Sequence, residues 1–207
     1  RVLVFCRSGR VEKQNASGSS VRTGKKEGRL VNLEEKTVSN KVVFQGHILR
    51  VHCDDALRAD GKPCTREYIE HPGGACVLFV MDGKILLVRQ YRYAYREETL
   101  EIPAGKLNPG EAPDVTAARE LEEETGYKAA RVEHMYTMYP TPGYTDEKIY
   151  IYRAYTAEEG ESHPDDGEFV AARFYPVEEV KDMIERGEIK DAKTIIAVFS
   201  YLLSERK

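Results

Sequence analysis

The chain has 207 residues, 41% of them hydrophobic, enough for one domain with a real core. No stretch approaches the roughly 18 consecutive apolar residues that a membrane span needs. Residues 1–6 are too short for a signal-peptide core, so a cytoplasmic protein that does not engage a membrane is expected. The net charge of −4 hides an asymmetry. Residues 1–30 carry eight Lys/Arg against two Glu, a net of +6, so residues 31–207 must carry −10. An acidic body argues against a nucleic-acid partner, whose footprint is a basic face. Cys6, Cys53, Cys64 and Cys76 have no C-x-x-C spacing, which argues against zinc and for reduced, small apolar side chains.

Residues 1–30 are rich in Gly, Ser, Arg and Lys, without periodicity. They read as a disordered or accessory arm, or less favourably as a basic tether to an anionic surface. Within 41–51 two short strands are expected around Gly46, then a turn at Asp60-Gly61 and a strand over 65–71. Residues 31–72 therefore read as a small antiparallel β-element. Pro72-Gly73-Gly74 is a break, after which 73–207 reads as a catalytic domain. Runs 75–81 and 84–88 are continuously apolar, joined by the hairpin signal Asp82-Gly83. Such runs suit strands covered on both faces. Residues 113–125 are the clearest helix, with Pro113 in its first turn and Gly126 as a left-handed stop. Further strands are expected at 132–139, 148–155 and 169–175, and helices at 177–185 and 192–203, the last capped by Asp191. The sum is an α/β fold of mixed type, an α/β/α sandwich around a mixed sheet.

Residues 111–124 hold six acids, Glu111, Asp114, Glu120, Glu122, Glu123 and Glu124, against one base, Arg119. Like charges at i,i+4 repel, so such a helix is costly without cations. At about 100° per residue, Glu120, Glu123 and Glu124 share one arc while Ala117, Ala118 and Leu121 can pack inward. Hard oxygen donors at this spacing suit Mg²⁺ or Mn²⁺. A solvated amphipathic helix is the plainer explanation of the acids when the helix is taken alone. The flanking Gly105, Gly110-Glu111 and Gly126 turn it into a loop–helix–loop and tip the balance.

This segment resembles the Nudix box, G-x5-E-x7-R-E-U-x-E-E-x-G-U, where U is bulky and apolar. Gly105, Glu111, Arg119, Glu120, Leu121, Glu123, Glu124 and Gly126 match at the required spacing, and Tyr127 stands where an aliphatic residue is more usual. The resemblance implies a Nudix fold and two or three Mg²⁺ ions held by Glu120, Glu123, Glu124 and the carbonyl of Ala104. It gives Arg119 an orienting role and Glu111 a structural one, with Gly105 and Gly126 as backbone positions. Glu124→Gln is expected to change only a surface charge.

Outside the box, residues 33–203 resemble the ADP-ribose pyrophosphatase branch. The carriers are Arg66-Glu67, His71-Pro72-Gly73, Gln90-Tyr91-Arg92, Glu101-Ile102-Pro103-Ala104-Gly105, the segment around Pro142, and Asp191-Ala192-Lys193-Thr194. Arg66 and Arg92 can hold phosphate or ribose oxygens through forked donors. A surface salt bridge is the plainer reading for either alone. Glu67 can accept from an amino group or ribose hydroxyls; an adenine needs an aromatic or apolar sandwich, and in a chain without Trp, Phe44 and Ile48 are the residues lying in the corresponding N-terminal region. The resemblance implies a homodimer with exchanged N-terminal strands. It also implies a base on a loop after the box, which matches Glu168. Expected products are AMP and ribose 5-phosphate. The rivals are a Nudix enzyme for another nucleoside diphosphate sugar or a dinucleotide, and a non-catalytic nucleotide-binding regulator. The intact carboxylates disfavour the regulator.

Overall fold

The two unbroken apolar runs become the central hairpin of a large sheet. The computed structural model describes residues 32–164, 167 and 169–205; the arm at 1–30 and Glu168 lie outside them. Strands β1 (Lys36–Ser39), β2 (Val42–Gln45), β3 (Arg50–Leu57) and β4 (Pro63–Glu70) form a small sheet in which β3 pairs antiparallel with the other three. The large sheet contains β5 (Gly74–Met81), β6 (Lys84–Arg92), β7 (Glu97–Glu101), β8 (Ala104–Lys106), β9 (Tyr127–Met138), β10 (Ile149–Glu159) and β11 (Ala171–Pro176). Its order is β11-β6-β5-β10-β9, with β7 also on β6 and β8 also on β5. Only the β5–β10 ladder is parallel among the described strands, so the sheet is mixed. Asp82-Gly83 makes the tight turn, with Met81 paired to Lys84 across it.

Side chains alternate across a strand, and this builds two cores from one sheet. Ala75, Val77 and Phe79 pack on Ala117 and Leu121 of α1 (Pro113–Thr125). Cys76 and Leu78 pack on the other face with Val180 and Met183 of α2 (Val177–Glu185) and Ala197 and Val198 of α3 (Ala192–Ser204). The α/β/α sandwich is therefore present. Full burial of each large aliphatic chain here contributes roughly 1.5–3 kcal/mol. Burial pushes the Cys76 thiol up to about 12, which fits the small apolar role expected of it. No described helix is long and apolar enough to cross a membrane.

Three boundaries differ from expectation, and two strands were not expected. β3 runs on to Leu57, and β9 begins at Tyr127, immediately after the helix stop. Tyr127 is held by ring contacts with Phe79 and Phe174, at 5.4 and 5.5 Å, so an aromatic serves in this apolar position. β11 begins at Ala171 because Phe169 is 89% exposed and contributes nothing to the core. The short β7 and β8 carry too few apolar residues to announce themselves.

Candidate active site

The loop before α1 is placed by β8, whose Ala104, Gly105 and Lys106 pair with Cys76, Ala75 and Gly74 of the buried β5. Helix α1 starts with Pro113 in its first turn and ends at Gly126, φ 79°, whose N–H donates to the Glu122 carbonyl at 2.8 Å. A side chain at Gly126 would also meet the Gly160 carbonyl oxygen at 2.5 Å, so both conformation and space demand glycine. Leu121 and Ala117 anchor one face of the helix in the core. This leaves Glu120 and Glu123 beside the loop and Glu122 exposed.

Arg119 is the hub of the loop–helix unit. Its Nε donates to Glu111 Oε1 at 2.9 Å and its Nη2 to Glu111 Oε2 at 3.1 Å. Its Nη1 donates to Glu120 Oε1 at 2.7 Å and to Glu123 Oε2 at 2.6 Å. Nη2 also reaches the Lys106 carbonyl at 3.3 Å, which ties helix to loop. Charge-assisted, forked bonds of this kind fix geometry as well as energy. They lower the Glu111 carboxyl to about 2, the hydrogen bonds from Arg119 being the main cause. Arg119 itself is held above its ordinary value, first by Glu111, with burial working against it and Glu123 and Glu120 adding to the rise. Glu111 also accepts the Asn108 N–H, closing the loop on itself.

Glu120 and Glu124 are 8% and 5% exposed, so they are not surface charges as the sequence led one to expect. Glu124 Oε2 accepts the Ala104 N–H at 3.0 Å. Gly105 gives the Glu120 carboxylate its room: a Cβ there would lie 1.9 Å from Oε1. Helical geometry places the three carboxylates on one arc, and local partners then divide them. Arg119 takes Glu120 and Glu123, and Ala104 takes Glu124. In these side-chain positions no three His, Cys, Asp or Glu among the described residues are grouped to hold an ion. The donor set nonetheless fits a hard divalent cation. It is all oxygen and carries several negative charges.

The substrate candidates separate into two places. Arg66 and Glu67 are exposed on β4, and Arg66 forms a forked ion pair with Glu35, Nε at 2.7 Å and Nη2 at 2.5 Å. Pro142 sits exposed in the turn after β9. That turn is clasped to β4: Ile69 N–H donates to the Tyr144 carbonyl at 2.8 Å, and Asp146 N–H donates to the Ile69 carbonyl at 3.1 Å. Asp146 Oδ1 then accepts the His71 N–H at 2.8 Å. Phe44, 58% exposed on β2, has no stacked ring among the described residues. A cleft of about 750 Å³ lies between residues 45–50 of this small sheet and the box loop. Glu111 and Lys106 line it; Glu120, Glu123 and Glu124 do not.

Arg92 lies elsewhere, at the end of β6, with Nε and Nη2 on the Glu101 carboxylate at 2.7 and 2.5 Å. Both arginines thus stand in ion pairs. Glu101 is the residue that sequence reasoning passed over. It is 2% exposed and takes further bonds from Thr99 Oγ1, at 2.6 Å, and from Lys193. The signal was an acid heading the Glu101-Ile102-Pro103 step, in a stretch otherwise bound for the core.

A loop–helix–loop with this carboxylate set, on an α/β/α sandwich, defines a Nudix-type site. The NUDIX domain model matches residues 70–198, and the chain belongs to the Nudix family and is a hydrolase. It is 38% identical over 177 residues to the ADP-ribose pyrophosphatase of Bacillus subtilis (strain 168), spanning 84% of this chain and 96% of that protein. It is also 38% identical over 175 residues to the methanol dehydrogenase activator of Bacillus methanolicus, spanning 83% and 95%. A crystal structure of an ADP compounds hydrolase superposes with a TM-score of 0.73 at 20% identity, covering 83% of this chain and 96% of that one, which speaks to the fold.

Proposed function

We propose that this chain hydrolyses the diphosphate bond of ADP-ribose, giving AMP and ribose 5-phosphate. The observation that carries this reading is the intact carboxylate set on α1, in a chain 38% identical to an ADP-ribose pyrophosphatase along nearly all of that protein. Two or three Mg²⁺ ions, replaceable by Mn²⁺, are assigned to Glu120, Glu123, Glu124 and the Ala104 carbonyl. When bound, such ions neutralise diphosphate charge and acidify a coordinated water. Arg119 holds Glu120 and Glu123 on the side facing the loop and so presets their orientation. Glu111 keeps Arg119 charged and in place. Glu168, between β10 and β11 in the sequence, is assigned as the proton acceptor. Arg92 is assigned to the phosphates, and Arg66, Glu67, Pro142 and Phe44 to the nucleoside or ribose.

A homodimer with exchanged N-terminal strands accompanies this reading. Val38, Val42, Val43 and Phe44 on β1 and β2 are about half exposed or more, an apolar display that a second copy would cover. In such a dimer Arg66 and Glu67 serve the neighbouring site. Sedimentation of the full chain tests this, and a strict monomer at micromolar concentration contradicts it.

The decisive measurement is turnover of ADP-ribose, ADP-glucose and GDP-mannose with Mg²⁺ and with EDTA, identifying products. The reading requires ADP-ribose to lead in kcat/KM, with AMP released only when the cation is present. Preference for another nucleoside diphosphate sugar moves the assignment to that substrate and leaves the chemistry in place.

A further inference from the structure

A buried ionic chain runs from the first turn of α3 to Arg92. Asp191 caps the helix, its Oδ2 accepting Thr194 N–H at 3.0 Å and Thr194 Oγ1 at 2.5 Å. Its Oδ1 accepts from Lys193 Nζ at 2.9 Å. Lys193 also donates to Glu101 Oε2, and Glu101 receives the fork of Arg92. Thr194 Oγ1 in turn accepts the Ile102 N–H at 2.9 Å, which ties the cap to the residue after Glu101.

Two features of Lys193 ask for an explanation. It is only 7% exposed, and a lysine is almost never so buried unless paired. It also stands in the first turn of a helix, where the macrodipole disfavours a cation. A well-packed apolar residue would often be no less stable there. Burial alone would lower the Lys193 pKa, but Asp191 and Glu101 outweigh it and hold it above its ordinary value. The chain is electrically balanced, Arg92 and Lys193 against Glu101 and Asp191.

The arrangement is asymmetric at its outer end. Glu101 is sealed, whereas the Arg92 side chain is 40% exposed. Arg92 spends Nε and Nη2 on Glu101, and its Nη1 makes no hydrogen bond among the described residues. Glu124 lies near enough to add to the rise in Arg92's pKa, of which the Glu101 hydrogen bonds are the first cause. The guanidinium thus has one edge locked on Glu101 and one edge left for an acceptor.

We propose that Lys193 is a positioning residue for substrate binding: its ammonium fixes Glu101, Glu101 fixes the Nε edge of Arg92, and the Nη1 edge is thereby presented to a substrate phosphate. This rests on the assignment of Arg92 to the diphosphate made above. Lys193 acts only through Arg92 and touches no substrate. Removing the ammonium leaves Glu101 free to turn toward either neighbour and releases the guanidinium from its fixed orientation.

The test reads position and binding separately. The Arg92 Nε–Hε resonance of ¹⁵N-labelled substrate-free protein, assigned by its loss in Arg92→Lys, reports the locked edge directly. Lys193→Met is expected to speed its solvent exchange by about tenfold, and Lys193→Arg to restore slow exchange, as a charge-assisted bond weakens and reforms. With ADP-ribose and Mg²⁺, Lys193→Met is expected to raise KM about tenfold with kcat within about threefold, the pattern of lost ground-state binding. In an Arg92→Ala background the same substitution should add nothing. If Lys193→Met does not fold, Asp191→Asn keeps the helix cap while removing the charge that holds Lys193, and a smaller change of the same sign is expected. Unchanged Nε exchange overturns the linkage. Altered exchange with unchanged KM, or a full KM effect persisting without Arg92, overturns the positioning role. If the wild-type protein cleaves no nucleoside diphosphate, the functional reading fails while the resonance still decides the linkage.

Discussion

The molecule contains two carboxylate clusters, and they are built on opposite principles. Around Arg119, three acids, Glu111, Glu120 and Glu123, share one guanidinium, with Glu124 alongside. Around Glu101 the acids and bases are equal in number, and the centre is sealed. Sealing charge from water costs several kcal/mol per ion unless partners match it. The balanced cluster meets that condition unaided. The other keeps surplus negative charge, and it is there that the proposed function places its cations. Net charge within a cluster, more than the number of acids, is what distinguishes the two.

The sharpest way to break this comparison is Glu124→Gln. Turnover should fall by about 10²–10³-fold, on the scale of losing one metal ligand or electrostatic catalyst. The fold should persist, because the amide oxygen can still accept the Ala104 N–H; kcat and the melting temperature check both halves. Full activity at saturating Mg²⁺ would remove the surplus carboxylates from the mechanism. Arg119→Gln should cost about 10–100-fold in kcat, the usual range for a residue that orients ligands. NMR titration should then show the Glu111 carboxyl climbing back toward 4.5, its ordinary value, from about 2. Leu121→Ala tests the helix's footing. It should cost about 2–5 kcal/mol in denaturant stability, because the side chain is fully buried, while kcat per folded molecule changes little.

The smallest effect is on pH dependence. Glu111 is held near 2 by Arg119. Burial works to raise Glu101, but Arg92 and Lys193 outweigh it and hold this group near 2 as well. Both folded values lie below the unfolded value, so the stability these groups contribute is present above about pH 4.5 and lost as pH falls toward 2. Melting temperature measured from pH 6 to 2 should decline across that window. The decline should be shallower in Glu111→Gln, and a rise on acidification would contradict it.

Much of this was legible in the sequence, for reasons that differ by element. Residues 113–125 announced a helix by proline, apolar spacing and glycine stop, and the structure agrees residue for residue. The Asp82-Gly83 turn and the apolar strands beside it were equally plain, since turn chemistry and burial are local signals. The box spacing located the carboxylates and predicted Arg119 as their organiser. What it did not show is where each carboxylate head goes, because rotamers are chosen by partners distant in sequence, such as the Ala104 N–H. Glu101 was missed for the same reason. One of its partners, Lys193, lies 92 residues downstream on another element, and no periodicity encodes that.

The clasp between Ile69 and the 144–146 turn has a consequence for how the protein can be trimmed. The strand carrying Arg66 and Glu67 and the segment carrying Pro142 are buttoned together by main-chain bonds that do not depend on side-chain identity. A version cut back to begin after His71 loses the Ile69 half of that fastening. Under the roles proposed above, Arg66 and Glu67 fall on one side of such a cut and the carboxylates of α1 on the other.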